Sequence, residues 1–275
     1  MATRRWIQIL HPLLALAALV GDVTLEQGRK LRQLVGVVSA VLMIAAQPAS
    51  WRRTVRSALA RGVVSSGVEA IGIVGVLAVA LGVLLVVQYQ LWLGQIVQAQ
   101  FLGPILTAVV VRELAPLLVN LVVIARSGSA ITAELALIHV SGEDRVIEGQ
   151  GLDPLAYLVL PRTIGLVVSA LCLTLIFVAV SFVSVYIGGE WIGAQTGTFW
   201  DFTHDTLSAL APADIANLLL KSTVPALLTG CICSAEGLGA GDTAAEVPRA
   251  CRIAVQRSVI ALFIVSAFIS VVAYL

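Results

Sequence analysis

Five runs of mainly apolar residues divide the chain: Val63–Val87, Phe101–Ala125, Leu155–Ile187, Ala213–Ala235 and about Ser258–Leu275. A helix crosses a bilayer with ~20 such residues, so the pattern predicts five spans. The third is long enough to tilt, and the last is short and runs to the end of the chain. A shorter run, Leu31–Ala46, has Arg29, Lys30 and Arg32 before it and Arg52 and Arg53 after it. Both flanks prefer one side of the membrane, so this segment is expected to lie in the interface or to dip in and return. Arg4-Arg5 followed by Ile7–Val20 has the layout of a signal peptide. Cleavage there would leave a new N-terminus outside, against the basic run Arg52–Arg61, so retention is expected.

Composition agrees with this pattern. The 275 residues are 59% hydrophobic and 12% charged, with a mean hydropathy of +0.99. A soluble domain carries about twice that share of charge. The net charge of +1 gives no basic field for nucleic acid. The positive charges that exist are partitioned. Arg52, Arg53, Arg56 and Arg61 precede the first span, Arg126, Arg145 and Arg162 lie between spans two and three, and Arg249, Arg252 and Arg257 lie between four and five. The connections Gln88–Gln100 and Gly188–Pro212 contain neither Lys nor Arg. Positive residues stay on the cytoplasmic side, which predicts a cytoplasmic N-terminus and an external C-terminus.

Solitary enzyme chemistry is disfavoured. The only lysines, Lys30 and Lys221, lack the glycine framework of a phosphate-binding loop, so nucleotide hydrolysis would fall to another chain. His11, His139 and His204 have no zinc-type spacing, and no Gly-x-Ser-x-Gly elbow occurs. Cys172, Cys231, Cys233 and Cys251 read as small buried thiols rather than metal ligands. A transporter subunit, a receptor or an assembly scaffold is left.

Three features carry functional information. The first is charge inside the apolar runs: Arg112-Glu113-Leu114-Ala115-Pro116 in the second, and Lys221-Ser222 in the fourth. A charge at the bilayer centre costs at least ~2.5–3.5 kcal/mol, so such residues face protein, water or a polar ligand group. Both spans run inward; at ~1.5 Å per residue Arg112 lies roughly 16 Å down and Lys221 about 12 Å, close enough to share one cavity. Pro116 and Pro225 deny the carbonyls of Arg112 and Lys221 their usual amide partners four residues on. The cluster is either an ion network that locks helices or a polar lining that meets a headgroup or gates passage, and the two roles are compatible.

The second feature is the segment Arg126–Pro161. Arg126-Ser127-Gly128-Ser129-Ala130 permits close helix approach. Leu135, Ile138 and Val146 form an apolar stripe beside Glu134, His139 and Glu143, which fits a short helix docking on a soluble partner. Asp153-Pro154 starts the next element as an N-cap with proline at the first helical position. The third feature is the small-residue face Gly67, Gly72, Gly75, Ala78 and Gly82 of the first span, fitted to packing within the chain or between copies. Glu69 lies near the start of that span, and Trp191 and Trp200 in the last connection fit an interfacial belt.

The segments Arg112–Pro116, Ala125–Ala130, Thr132–Leu135, Asp153-Pro154 and Pro161-Arg162, together with Lys221-Ser222, closely resemble the MlaE/YrbE permeases, membrane subunits of ABC transporters associated with MCE proteins. The resemblance extends from about Val63 to the C-terminus. It implies an all-α polytopic membrane protein: residues 1–62 form cytoplasmic and interfacial helices, and residues 63–275 a five-span permease domain with a coupling segment at about 130–150. It implies a bacterial inner-membrane location, a second permease copy (identical or paralogous), a cytoplasmic ATPase that holds ATP and Mg²⁺, and a periplasmic MCE-domain protein. No cofactor or metal is implied for this chain.

By the same likeness, Arg112, Glu113, Pro116, Lys221, Ser222 and Pro225 line or gate a lipid cavity. Glu134, Leu135, Ile138, His139, Glu143, Asp144, Arg145 and Glu148 form the coupling segment resting on the ATPase, while Gly67, Gly75, Gly82, Arg126 and Gly128 serve helix packing or the dimer. The implied function is lipid movement, of phospholipid in the first instance, between the inner membrane and an MCE tunnel. The competing readings are a proton-coupled transporter using Glu113, or a membrane scaffold. Departures are Gly142-Glu143-Asp144 where relatives carry Glu-Gln, Pro248 where glycine is common, and Val265 near the place of an acidic residue.

Overall fold

The computed structural model describes residues 32, 34–47, 53–92, 107–192, 198–208 and 210–274, and among these it is helical throughout apart from turns. Helix α1 is Leu34–Ala46. Helix α2 (Arg53–Gly67) passes through one 3₁₀ turn, Val68–Ala70, into α3 (Ile71–Trp92). A widened π segment, Thr107–Leu114, leads into α4 (Ala115–Val123), and a second, Ile124–Gly128, into α5 (Ser129–Ser141). The short α6 (Glu143–Gly149) follows, then a π turn Leu155–Val159 opening α7 (Leu160–Ile192). Helices α8 (Phe199–Ser208), α9 (Pro212–Leu238) and α10 (Val247–Tyr274) complete the chain.

Four helical runs among the described residues are long and apolar enough to cross a membrane: Val55–Leu91, Leu155–Trp191, Pro212–Leu238 and Ala244–Ala273. They correspond to the first, third, fourth and fifth expected spans. The second, Phe101–Ala125, is helical from Thr107 onward, and Phe101–Leu106 lies outside the described residues. The segment Leu34–Ala46 is a separate short apolar helix. Two boundaries differ from expectation. Helix α2 runs unbroken through residues 62 and 63, and α10 begins at Val247 rather than near Ser258. Arginine is a good helix former, so hydropathy falls at Arg56, Arg61, Arg249, Arg252 and Arg257 while the helix continues.

Helix α7 is the centre of the bundle, packed on α2, α3, α4 and α9, and α9 in turn packs on α4, α5 and α10. Val74, Ala78, Val119, Leu166, Leu173 and Phe177 are among the fully buried core residues. The outer faces stay apolar: Ile73, Val76, Leu84 and Leu91 on α3, and Phe263, Ile264 and Phe268 on α10, are all exposed. Bilayer chains would cover them, which is why the helices need no polar stripe. Without a hydrophobic drive between helices, packing rests on small residues and hydroxyls. Ser169 donates to Val63 O (3.3 Å), Ser181 to Ala78 O (3.4 Å) and Ser184 to Val79 O (3.1 Å), joining α7 to α2 and α3.

The small-residue face is only partly used. A Cβ on Gly82 would stand 2.7 Å from Ser184 Cβ, and one on Gly67 3.1 Å from Ser169 Oγ, so both glycines seat α7 within this chain. Gly75 meets nothing within 4 Å. Crossing helices diverge, so residues two turns apart on one helix do not meet the same neighbour.

Candidate functional site: a neutral ion cluster between three helices

The charges expected to converge do so, with a fourth that hydropathy did not single out. Lys221 Nζ on α9 lies 2.7 Å from Glu113 Oε1, and donates to the carbonyl oxygen of Arg112 at 3.0 Å. Arg112 turns its guanidinium to Asp214 on α9: Nε is 2.8 Å from Oδ1, and Nη2 donates to Oδ2 at 3.1 Å. Asp214 also accepts the Ala211 backbone amide at 3.0 Å, next to the helix N-terminus where a carboxylate is favoured. Ser270 on α10 donates to Glu113 Oε1 at 3.1 Å, drawing in a third helix. Two cations face two anions. The cluster is neutral, and each charge sits beside its opposite, the arrangement that makes burial tolerable.

The two prolines act as the sequence implied, with a reciprocity it did not reveal. Pro116 leaves Arg112 O without its usual donor, and Lys221 Nζ and Asn217 Nδ2 (3.4 Å) on the facing helix supply it. Pro225 leaves Lys221 O in the same state, and Asn120 Nδ2 supplies it at 3.2 Å, while also donating to Pro116 O at 2.8 Å. Each freed carbonyl is thus held by a side chain from the other helix. Asn120 is fully buried and Asn217 nearly so. Asp214, Asn217 and Lys221 follow an i, i+3, i+7 spacing that puts them on one helical face; this was the available signal for the two that were missed. Ser222 is buried, but its hydroxyl bonds to Leu219 O at 3.0 Å, so only its carbonyl faces the Asn120 amide, at 3.5 Å.

Exposure divides the cluster. The side chains of Lys221 and Asp214 are 0% and 2% exposed, whereas those of Arg112 and Glu113 are 34% and 45% exposed. The buried pair anchors and the half-exposed pair presents.

At the opposite end of the bundle, where the arginines gather, α5 and α6 form an elbow. Gly142 adopts φ +76° there, the left-handed conformation that favours glycine. His139 Nδ1 is 2.6 Å from Asp144 Oδ2 across the elbow. Burial raises the Asp144 pKa, but the hydrogen bond to His139, the Arg145 amide and the charges of His139 and Arg145 outweigh it and leave the group below the ordinary carboxylate value.

Glu134 forms a two-pronged pair with Arg162 (2.8 and 3.2 Å), tying α5 to α7. Glu143, Arg145, Val146 and Glu148 are exposed on α6. Arg145 reaches Asp242 at 3.4 Å, an exposed pair of little energetic weight. The expected apolar stripe is rearranged. Leu135 is fully buried, close to Gly237 of α9, and Ile138 packs on the core, so the exposed apolar side chains here are Leu137 and Val146.

Of the remaining expected residues, Arg126 pairs with Glu69 at 2.6 Å, linking the π segment before α5 to the 3₁₀ turn before α3. Gly128 admits Cys233 Sγ, which would lie 3.1 Å from a Cβ. Both serve packing within the chain. Arg257 pairs with Glu236 between α10 and α9, an interaction the sequence did not suggest. Cys231 and Cys233 are buried and Cys251 is half-buried, but Cys172 is exposed on α7, which corrects the reading of all four as buried thiols.

Comparison with known proteins agrees with this architecture. The family model described as Permease MlaE matches residues 59–272. A probable ABC transporter permease protein of Rickettsia prowazekii is 28% identical over 252 residues, covering 92% of this chain and 95% of the relative. The chloroplastic protein trigalactosyldiacylglycerol 1 of Arabidopsis thaliana is 28% identical over 225 residues, 82% of this chain and 62% of the relative. The intermembrane phospholipid transport system permease protein MlaE of Haemophilus influenzae is 30% identical over 152 residues, 52% of this chain and 58% of the relative. The chain spans less than two thirds of the last two.

Proposed function

The chain belongs to the Permease MlaE family and is a multi-pass ABC transporter permease subunit; from that premise we propose that it moves lipid, phospholipid in the first instance. The observation that carries this reading is the neutral cluster of Arg112, Glu113, Asp214 and Lys221, half-exposed at Arg112 and Glu113 in an otherwise apolar bundle. A lipid needs both surfaces together, a polar place for the headgroup and apolar walls for the chains. The phospholipid in the Haemophilus relative's name supports the cargo class.

The working partners are a cytoplasmic ATPase, a second permease copy and a periplasmic MCE-domain protein. The basic end, with Arg126, Arg145, Arg162, Arg249 and Arg252, faces the cytoplasm by the positive-inside rule. In a bacterial inner membrane, the location proposed, this orientation turns the ion cluster towards the periplasm. ATP and Mg²⁺ belong to the partner. Closure of the ATPase pushes on the α5–α6 elbow. Glu134–Arg162 carries the displacement from α5 to α7, and the reciprocal Asn120 and Lys221 bonds make the second and fourth spans move together. The space beside Arg112 and Glu113 then narrows and the lipid leaves.

The test is ATP-dependent lipid transfer with Glu113→Ala and Lys221→Ala complexes. Both are expected to assemble with the ATPase and transfer poorly. Normal flux in both removes the cluster from the transport path.

A further inference from the structure

Which charge in the cluster meets the ligand follows from the hydrogen-bond inventory. Lys221 is fully enclosed, with its ammonium on Glu113 Oε1 and Arg112 O. Arg112 is the more exposed cation, but its guanidinium is committed in two-pronged fashion to buried Asp214. Lys221 is therefore not available to grip an anion without breaking a pair inside the protein, at a cost of several kcal/mol, and the charge of Arg112 is already matched by Asp214. Glu113 differs. Its Oε1 accepts both Lys221 and Ser270, while Oε2 has no hydrogen bond or ion pair among the described residues and the side chain is 45% exposed. The cluster thus turns an open acceptor outward at Glu113, beside an Arg112 already matched by Asp214, and keeps Lys221 behind.

We infer that Glu113 is the specificity-determining group of this site, and that it selects lipids whose headgroup bears an ammonium over lipids whose headgroup is only anionic. The inference rests on the lipid reading proposed above. Its second support is charge balance. With Arg112 and Lys221 against Glu113 and Asp214 the site is neutral, so a net-negative headgroup gains no attraction from it, whereas a zwitterionic headgroup adds no net charge. An ammonium is a three-donor group, and the open Glu113 oxygen in a partly dehydrated setting gives it a charge-assisted hydrogen bond. A glycerol headgroup carries the same phosphodiester but offers the carboxylate only neutral hydroxyls and leaves its net negative charge unbalanced.

The experiment offers the full chain, purified in mild detergent with its copurifying partners, equal amounts of dioleoyl phosphatidylethanolamine and dioleoyl phosphatidylglycerol, and reads bound lipid by native mass spectrometry. The expected preference for the ethanolamine lipid is about tenfold, the scale of one hydrogen bond to a charged group. Glu113→Gln, which leaves the site with one net positive charge, abolishes the preference or turns it towards the glycerol lipid, and Glu113→Asp keeps it. A third arm needs no variant: N-acetylation of the ethanolamine, which removes the ammonium, abolishes the preference in the unaltered protein. Equal binding of the two lipids, stronger binding of the glycerol lipid, or a preference that survives N-acetylation overturns the inference while leaving lipid transport standing. Binding of neither lipid overturns the lipid reading itself, and the inference with it.

Discussion

Asp214 is the residue on which the cluster's neutrality turns. Its side chain is 2% exposed, and Asp214→Asn would leave Arg112 beside an uncharged amide in a low-dielectric setting. Removing one partner of a buried pair costs about 3–5 kcal/mol, but Arg112 keeps a third of its side chain exposed, so the expected loss is smaller, about 2–3 kcal/mol. Thermal unfolding in detergent measures it, and Asp214→Asn with Arg112→Gln is expected to lose less than the sum of the two single changes. A strictly additive result would show that the pair carries no coupling. Arg112, Glu113 and Lys221 were legible in the sequence because a charge in an apolar run needs a reason. Asp214 was not, because it lies one residue inside the expected edge of its span, where a carboxylate costs little. Asn120 and Asn217 were missed because neutral amides disturb hydropathy less than charges do, and their role exists only once the facing helix is in place.

At the scale of elements, the α3–α7 contact separates two glycines that the sequence could not distinguish. Gly82→Ala forces a Cβ to 2.7 Å from Ser184 Cβ and is expected to destabilise by roughly 1–3 kcal/mol. Gly75→Ala meets open space and is expected to stabilise the helix by about 0.5–1 kcal/mol, the ordinary gain over glycine. Equal effects of the two changes in the same unfolding assay would contradict the packing described. Spacing places residues on a face, but where two helices cross depends on the whole bundle.

The α5–α6 elbow gives a pH expectation with a definite sign. The Asp144 carboxyl is held below its ordinary value in the folded chain. Its contribution is therefore complete above the usual carboxylate pKa of ~3.9 and is lost as pH falls through the lower folded-state value. Amide exchange over residues 142–149, corrected for intrinsic rates, is expected to stay protected down to that range and to open below it. Opening already between pH 7 and 5 would place the switch on a different group. The elbow's glycine and acidic start were readable, but not the burial of Leu135, which needs α9 and Gly237 pressed against it.

For the molecule as a whole, the rough position of four of the five expected spans followed from hydropathy alone, since the solvent is a bilayer and apolar length is what it reads. Helix ends did not follow, because arginines at Arg56, Arg249 and Arg252 lower hydropathy without ending a helix. Sidedness is likewise a matter of whole-chain charge. A C-terminal fusion is expected to give active alkaline phosphatase and a dark green fluorescent protein, and the opposite pair would invert the proposed orientation. The central claim concerns assembly: this chain has the architecture of an ABC permease, and the proposed motor lies in another chain. The most direct test is a mild-detergent pull-down of the tagged full chain, with copurifying proteins and lipids identified by mass spectrometry. An ABC ATPase, an MCE-domain protein and an enriched lipid class are expected to come with it. Recovery of the chain alone, under conditions in which a related permease keeps its ATPase, would contradict the claim.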